Sequence, residues 1–195
     1  MAYSVSSSVE QGTITFVDIH GPHAGSSYMG GYFNPSGDKL FIPTQKANNE
    51  SKKGIDIYQS GASGYTFLGP SLVPTLNGST SARIDSMVFV SDSEFLATTN
   101  TTGTDALFRF VTASDGWTVT DVGDLDDLSY GSQYSLKLNP SKNKLLITAA
   151  GQDDINISIY DASGDSWSDP DDLINISNAD VQGSQWISDT EIVIG

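Results

Sequence analysis

The sequence predicts an all-β chain built from a four-stranded antiparallel unit repeated four times, and three observations carry that expectation. Apolar and polar residues alternate with period two in one run after another. Clusters of Gly, Ser, Asn and Asp separate these runs every ~8 to 12 residues. Two hairpin motifs recur in a common phase at intervals of roughly 50 residues.

The alternating runs are Thr13-Ile14-Thr15-Phe16-Val17-Asp18-Ile19, Ile55-Asp56-Ile57-Tyr58, Leu107-Phe108-Arg109-Phe110-Val111, Trp117-Thr118-Val119-Thr120-Asp121-Val122 and Ile155-Asn156-Ile157-Ser158-Ile159-Tyr160. Each is rich in β-branched or aromatic residues, which suits a pleated, half-buried surface. No stretch of ~10 to 15 residues between strands shows a 3.6 period, so βαβ folds are excluded.

The first repeated motif is an apolar strand end, a tight polar turn and a second apolar strand. It occurs at Tyr32-Phe33-Asn34-Pro35-Ser36-Gly37-Asp38-Lys39-Leu40, Val88-Phe89-Val90-Ser91-Asp92-Ser93-Glu94-Phe95, Lys137-Leu138-Asn139-Pro140-Ser141-Lys142-Asn143-Lys144-Leu145 and Gln185-Trp186-Ile187-Ser188-Asp189-Thr190-Glu191-Ile192. Its leading apolar residues, Phe33, Phe89, Leu138 and Trp186, are 56, 49 and 48 positions apart. The second motif places an aromatic after a Ser/Gly/Asp turn, at Tyr65, Trp117 and Trp167, in steps of 52 and 50. Val5 to Thr13 fits one period earlier without the aromatic. Two hairpins per period make four strands per period.

Four strands repeating at ~40 to 50 residues is the pattern of a β-propeller blade. The Asn34-Pro35-Ser36-Gly37-Asp38-Lys39-Leu40 turn resembles the hairpin of WD40-like (TolB-type) propeller repeats, and Trp186 to Ile192 resembles its shorter form. The Gly-His and Trp-Asp dipeptides of true WD40 repeats are absent. The phase of the repeats predicts a single four-bladed propeller over 1–195. Its blades would span 20–75, 76–127 and 128–177, with 178–195 and 1–19 sharing the fourth. Alternative all-β forms are a half-propeller that dimerises into eight blades and an ordinary sandwich.

Charge and composition narrow the function. Nine Lys+Arg stand against 24 Asp+Glu, a formal net charge of −15, which argues against a nucleic-acid partner. The absence of cysteine excludes thiol catalysis, Cys-based zinc sites and disulfides. Neither a targeting segment nor an apolar run of ~20 residues is visible, so membrane insertion is not expected.

Candidate chemistry is sparse. His20 and His23 are three apart beside Asp18 and could share an ion, but no third ligand with fitting spacing accompanies them. The Asp-rich stretches at 121–127, 152–154 and 168–172 lack the spaced pattern of a calcium loop, and Asp161 and Asp165 fit hairpin turn chemistry. No G-x-S-x-G elbow or phosphate loop occurs. The five N-x-[ST] sequons, at Asn49, Asn77, Asn100, Asn156 and Asn175, are what an Asn/Ser/Thr-rich chain produces by chance. Trp117 and Trp167 read as packing between neighbouring sheets and Trp186 as core. Tyr28, Tyr32 and Tyr130 are the aromatics left for a glycan platform.

No residue is therefore assigned a catalytic, cofactor or metal role. The expectation is a non-enzymatic structural or interaction module, of a virion (phage tail or capsid surface) or other extracellular assembly, with other protein subunits as partners. The alternatives are a carbohydrate- or receptor-binding propeller and a metal-dependent propeller enzyme using His20 and His23.

Overall fold

A computed structural model describes residues 3–5, 16–18, 30–47, 52–62, 64–72, 83–100, 106–113, 116–124, 134–150, 154–163, 166–167, 174–177 and 184–194. Among them the chain is all-β: antiparallel sheets, none closed on itself, and no helix. The residues fall into two compact units, Met1–Val73 and Pro74–Gly195.

The first unit holds a hairpin and a four-stranded meander. Strands β1 (Tyr3–Val5) and β2 (Phe16–Asp18) pair with Tyr3 opposite Asp18 and Val5 opposite Phe16. The meander runs β3 (Tyr32–Phe33), β4 (Lys39–Ala47), β5 (Lys52–Gly61) and β6 (Gly64–Phe67) in sequence order. Leu40, Ile42 and Tyr58 form its core, with Tyr65 and Phe67 packed against them. The tilted Tyr58–Phe67 pair, with ring centroids 5.5 Å apart, adds a specific aromatic contact to this burial. Strand β2 lies beside β6. Past β6 the chain follows β5 again, with Leu72 and Ile55 exchanging two backbone hydrogen bonds of 2.8 Å.

The second unit repeats the pattern twice and then halves it. Its first sheet is β7 (Arg83–Ser91), β8 (Glu94–Asn100), β9 (Ala106–Ala113) and β10 (Gly116–Asp124). The next is β11 (Tyr134–Leu138), β12 (Lys144–Ala150) and β13 (Asp154–Ser163), with β14 (Ser166–Trp167) and β15 (Ile174–Ser177) both pairing with β13. The last is the hairpin β16 (Ser184–Trp186) and β17 (Ile192–Ile194). First strands are neighbours: β7 lies beside β11, and β11 beside β16.

Period-two alternation decides which residues meet between these sheets. Leu96 and Leu107 of one sheet pack with Leu136, Leu145 and Ile147 of the next, flanked by Val88, Val90, Val122 and Leu138. Full burial of each such Leu or Ile contributes about 2 kcal/mol. The opposite face of the β7–β10 sheet carries Phe95, stacked on Phe110 at 4.5 Å and tilted against Phe89 at 5.3 Å.

Several expectations are corrected at residue level. Trp117 packs on Phe95 within its own sheet, centroids 5.1 Å apart. Trp186 is core as expected and its indole N–H donates to the Lys137 carbonyl at 3.0 Å. Phe33, its counterpart in the repeat, is 44% exposed, lying on the two-residue strand β3 with Tyr65 as an aromatic neighbour at 5.8 Å. Asp56 occupies the polar phase of its run yet is fully buried alongside Ile55, because both faces of the first meander are covered. The outermost strand of the β11 sheet is divided between β14 and β15.

Candidate functional site

The strands have two chemically different ends. At one end lie the turns of the first motif, whose sequence specifies their geometry. Asn34 and Asn139 are buried, at 3% and 2% exposure, and each caps its own turn. Asn34 Oδ1 accepts from the Lys39 N–H at 2.8 Å; Asn139 Oδ1 accepts from Asn143 and Lys144 at 2.9 and 2.8 Å. The left-handed residue is Gly37 (φ 72°) in the first turn and Lys142 (φ 56°) in the second. Short polar side chains that bond the local backbone make this turn in preference to a continued strand.

Charge is held tightly here. Asp38 accepts from Ser36 Oγ (2.7 Å), Asn34 Nδ2 (2.6 Å) and Gln59 Nε2 (3.2 Å), and these bonds lower its pKa from 3.8 to about 2. Asp189, in the β16–β17 turn, accepts from Asn139 Nδ2 and from the hydroxyl and backbone N–H of Ser141, and the two Ser141 bonds hold its carboxyl below the usual range. Lys142 Nζ reaches the Val90 carbonyl at 3.0 Å. Three successive turns of the second unit are thus tied in series. Their polar groups satisfy one another, so this end is built for structure.

The other end carries buried polar groups. In the first unit, Thr44 and Asp56 are buried, and Ser71 Oγ donates to Asp56 Oδ1. In the second, Ser86, Thr98, Thr99, Thr148 and Ser184 are all buried, and the last two share a hydrogen bond. Thr98 is fully buried, and its hydroxyl has no hydrogen-bond partner among the described residues. Such a group costs about 1 to 3 kcal/mol when left unsatisfied.

Beside Thr98 the ladder slips. Ile84 pairs with Thr99 and Ser86 with Thr98, so Asp85 is an extra residue on β7 facing the Thr98–Thr99 step. A bulge of this kind re-aims a side chain and is over-represented next to active sites. Asp85 is half-buried, with carboxylate atom Oδ2 sealed from solvent. Asp121 also sits at a slip in its ladder, but on the exposed side of β10. Asp85, Ser86 and Thr98 make the candidate site.

The residues singled out from sequence fall elsewhere. His20, His23, Tyr28, Tyr130, Asn49, Asn77 and the stretches 125–127, 152–153 and 168–172 lie outside the described residues. Asp18 ends β2, and Asp161 is a strand residue opposite Lys144, not a turn residue. Asn156 and Asn175 face each other across the β13–β15 ladder. Among the described residues no three His, Cys, Asp or Glu side chains cluster as metal ligands would. No described helix is long and apolar enough to cross a membrane.

No family model and no curated protein matches the chain. Solved structures do. A candidate 6-phosphogluconolactonase of Bacteroides fragilis NCTC 9343 superposes with a TM-score of 0.55 at 13% identity, over 79% of this chain and 40% of that one. A second, from Bacteroides uniformis ATCC 8492, gives 0.56 at 13% identity, over 85% and 45%. The chain spans less than half the length of either. Both neighbours are described as enzymes, which overturns the expectation of a non-enzymatic structural or virion module. That expectation rested on the lack of a catalytic constellation in the sequence and, for the virion, on composition, whereas a site set across strand ladders draws one or two residues from each of several strands. The likeness shows the architecture this chain shares: an all-β arrangement of antiparallel sheets with propeller-like neighbours.

Proposed function

We propose that the chain is a propeller enzyme that hydrolyses a lactone, with an uncharged sugar lactone as substrate. The observation that carries the reading is the fold likeness to two candidate lactonases over 79% and 85% of the chain. The choice of an uncharged ring follows from the net charge of −15, whose field disfavours accumulation of a dianionic phosphate ester.

The architecture proposed with it is a ring of four blades in one domain, the two-stranded hairpins β1–β2 and β16–β17 completing one blade. Three features support it: each terminal hairpin has two strands where the intervening sheets have four or five, β2 lies beside the outer strand β6, and first strands neighbour one another from β7 to β16. The resemblance of the turns to WD40-like (TolB-type) repeats points the same way. Because the chain has no cysteine, cysteine pairs introduced along β1 and β17 test closure directly. A monomeric cross-link is expected; cross-linking only between copies would refute it.

The test of function is proton release from glucono-δ-lactone, galactono-γ-lactone and 6-phosphoglucono-δ-lactone, each measured against its spontaneous hydrolysis. Saturable hydrolysis of an unphosphorylated lactone at ten times background or more is expected. Background rates throughout would refute lactone hydrolysis, and preference for the phosphorylated ring would refute the substrate class.

A further inference from the structure

Resting on the proposed ring of blades, we infer that the outer face of the last hairpin, at Ile187 and Val193, is a docking surface, and that its occupant is the Phe33 edge of the chain's own first meander. All three side chains are exposed, at 64%, 49% and 44%. A single exposed apolar residue needs no explanation. These three hold matched positions in the repeat, and the repeat shows what covers such positions elsewhere.

Ladder register fixes the correspondence. The pairs that close the turns are Phe33–Leu40, Phe89–Phe95, Leu138–Leu145 and Trp186–Ile192. One position further on, Ile187 is the counterpart of Val90, and Val193 the counterpart of Leu96. Leu96 and Val90 lie in the core that the β7–β10 sheet shares with the β11 sheet, together with Leu138 and Leu145. On the receiving side, Phe33 is the counterpart of Leu138, and Leu40 that of Leu145.

The next joint has the same sense. The last hairpin meets the β11 sheet through Trp186, which donates to the Lys137 carbonyl, and through Ser184, which is bonded to Thr148. Period-two alternation then turns Gln185 and Val193, paired across the ladder, to the opposite face, where both are exposed. That face continues a series of sheet-on-sheet contacts and offers two apolar side chains to a following sheet. On the first meander Leu40 and Ile42 already pack with Tyr58, Tyr65 and Phe67, which leaves Phe33 at the edge for the hairpin. Removing all three side chains from water supplies the driving force.

The test is a double-mutant cycle in the full chain, Phe33→Ala and Ile187→Ala singly and together, read by thermal unfolding and by sedimentation across a wide range of concentration. Each single variant is expected to lower Tm by at least about 2 °C, more than an ordinary surface change. The double variant is expected to lose less than the sum, because both substitutions delete one contact. Leu68→Ala, at a residue 49% exposed just past β6, serves as the control and should add to Ile187→Ala. Single variants that unfold with the wild type, or losses that simply add for Phe33→Ala and Ile187→Ala, would overturn the inference. Non-additivity that appears only at concentrations where dimers sediment would give the face to a second copy and overturn it too. A monomeric β1–β17 cross-link together with additive losses would remove the docking surface and leave the ring standing, whereas cross-linking only between copies would remove both.

Discussion

Replacing Asn139 by alanine deletes an acceptor that serves two backbone N–H groups at once, those of Asn143 and Lys144 at 2.9 and 2.8 Å. The side chain is 2% exposed, so the site is shielded from the water that could replace it. At about 1 kcal/mol for each hydrogen bond lost, the variant should be destabilised by about 2 kcal/mol. For a chain of this length that corresponds to a fall in Tm of roughly 4 to 8 °C. Among the described residues Asn34 Oδ1 accepts one N–H, that of Lys39, so Asn34→Ala should lose about half as much through its backbone bond. Urea unfolding followed by tryptophan fluorescence, with Trp186 in the adjoining hairpin, measures both. The reasoning is refuted if Asn139→Ala unfolds within about 0.5 kcal/mol of wild type, the range of an ordinary surface change.

Acid should act through Asp38. Its folded pKa of about 2 lies below the ordinary 3.8, so the carboxylate contributes stability that is present above pH 3.8 and lost as pH falls to about 2. The stability difference between wild type and Asp38→Asn, from urea melts, should shrink across that window; a constant gap would contradict the assignment. At Gly37 an added Cβ meets nothing within 4 Å, so Gly37→Ala isolates the backbone cost of φ 72°. It should lose about 1 kcal/mol. Leu145→Ala, at the centre of the core between two sheets, should cost about 2 to 5 kcal/mol in the same measurement.

The legibility of this chain follows the range of the interactions. Turns such as 34–39 and 139–144 could be read from residues because the capping bonds of Asn34 and Asn139 to the turn backbone span no more than five positions. The steps of 52 and 50 reappear as a repeated backbone bond: Ser60 to Asp38, Thr112 to Ser93 and Ala162 to Asn143. Burial was harder. Asp56 reads as a solvent-facing residue until its sheet is known to be covered on both sides, and Phe33 reads as core until β3 proves to be two residues long. The candidate site was invisible for a sharper reason. A bulge is a mismatch between two strands, so Asp85 has no signature within Arg83–Ser91 alone. The same holds for Thr98, whose missing partner is a property of its surroundings.

Within the described meanders, nearly every ladder joins strands adjacent in sequence, the β13–β15 pairing skipping only the short β14. Loop closure is therefore cheap at each step, and the order of synthesis becomes an order of assembly. The β3–β6 sheet can zip while later segments are still emerging, the β7–β10 sheet follows, and the β11 sheet then seals the Leu96–Leu145 core. The β16–β17 hairpin, which lies beside β11, is the latest of the described elements to emerge. A released fragment ending at Asp124 should already protect the backbone amides of strands β7 to β10 from exchange.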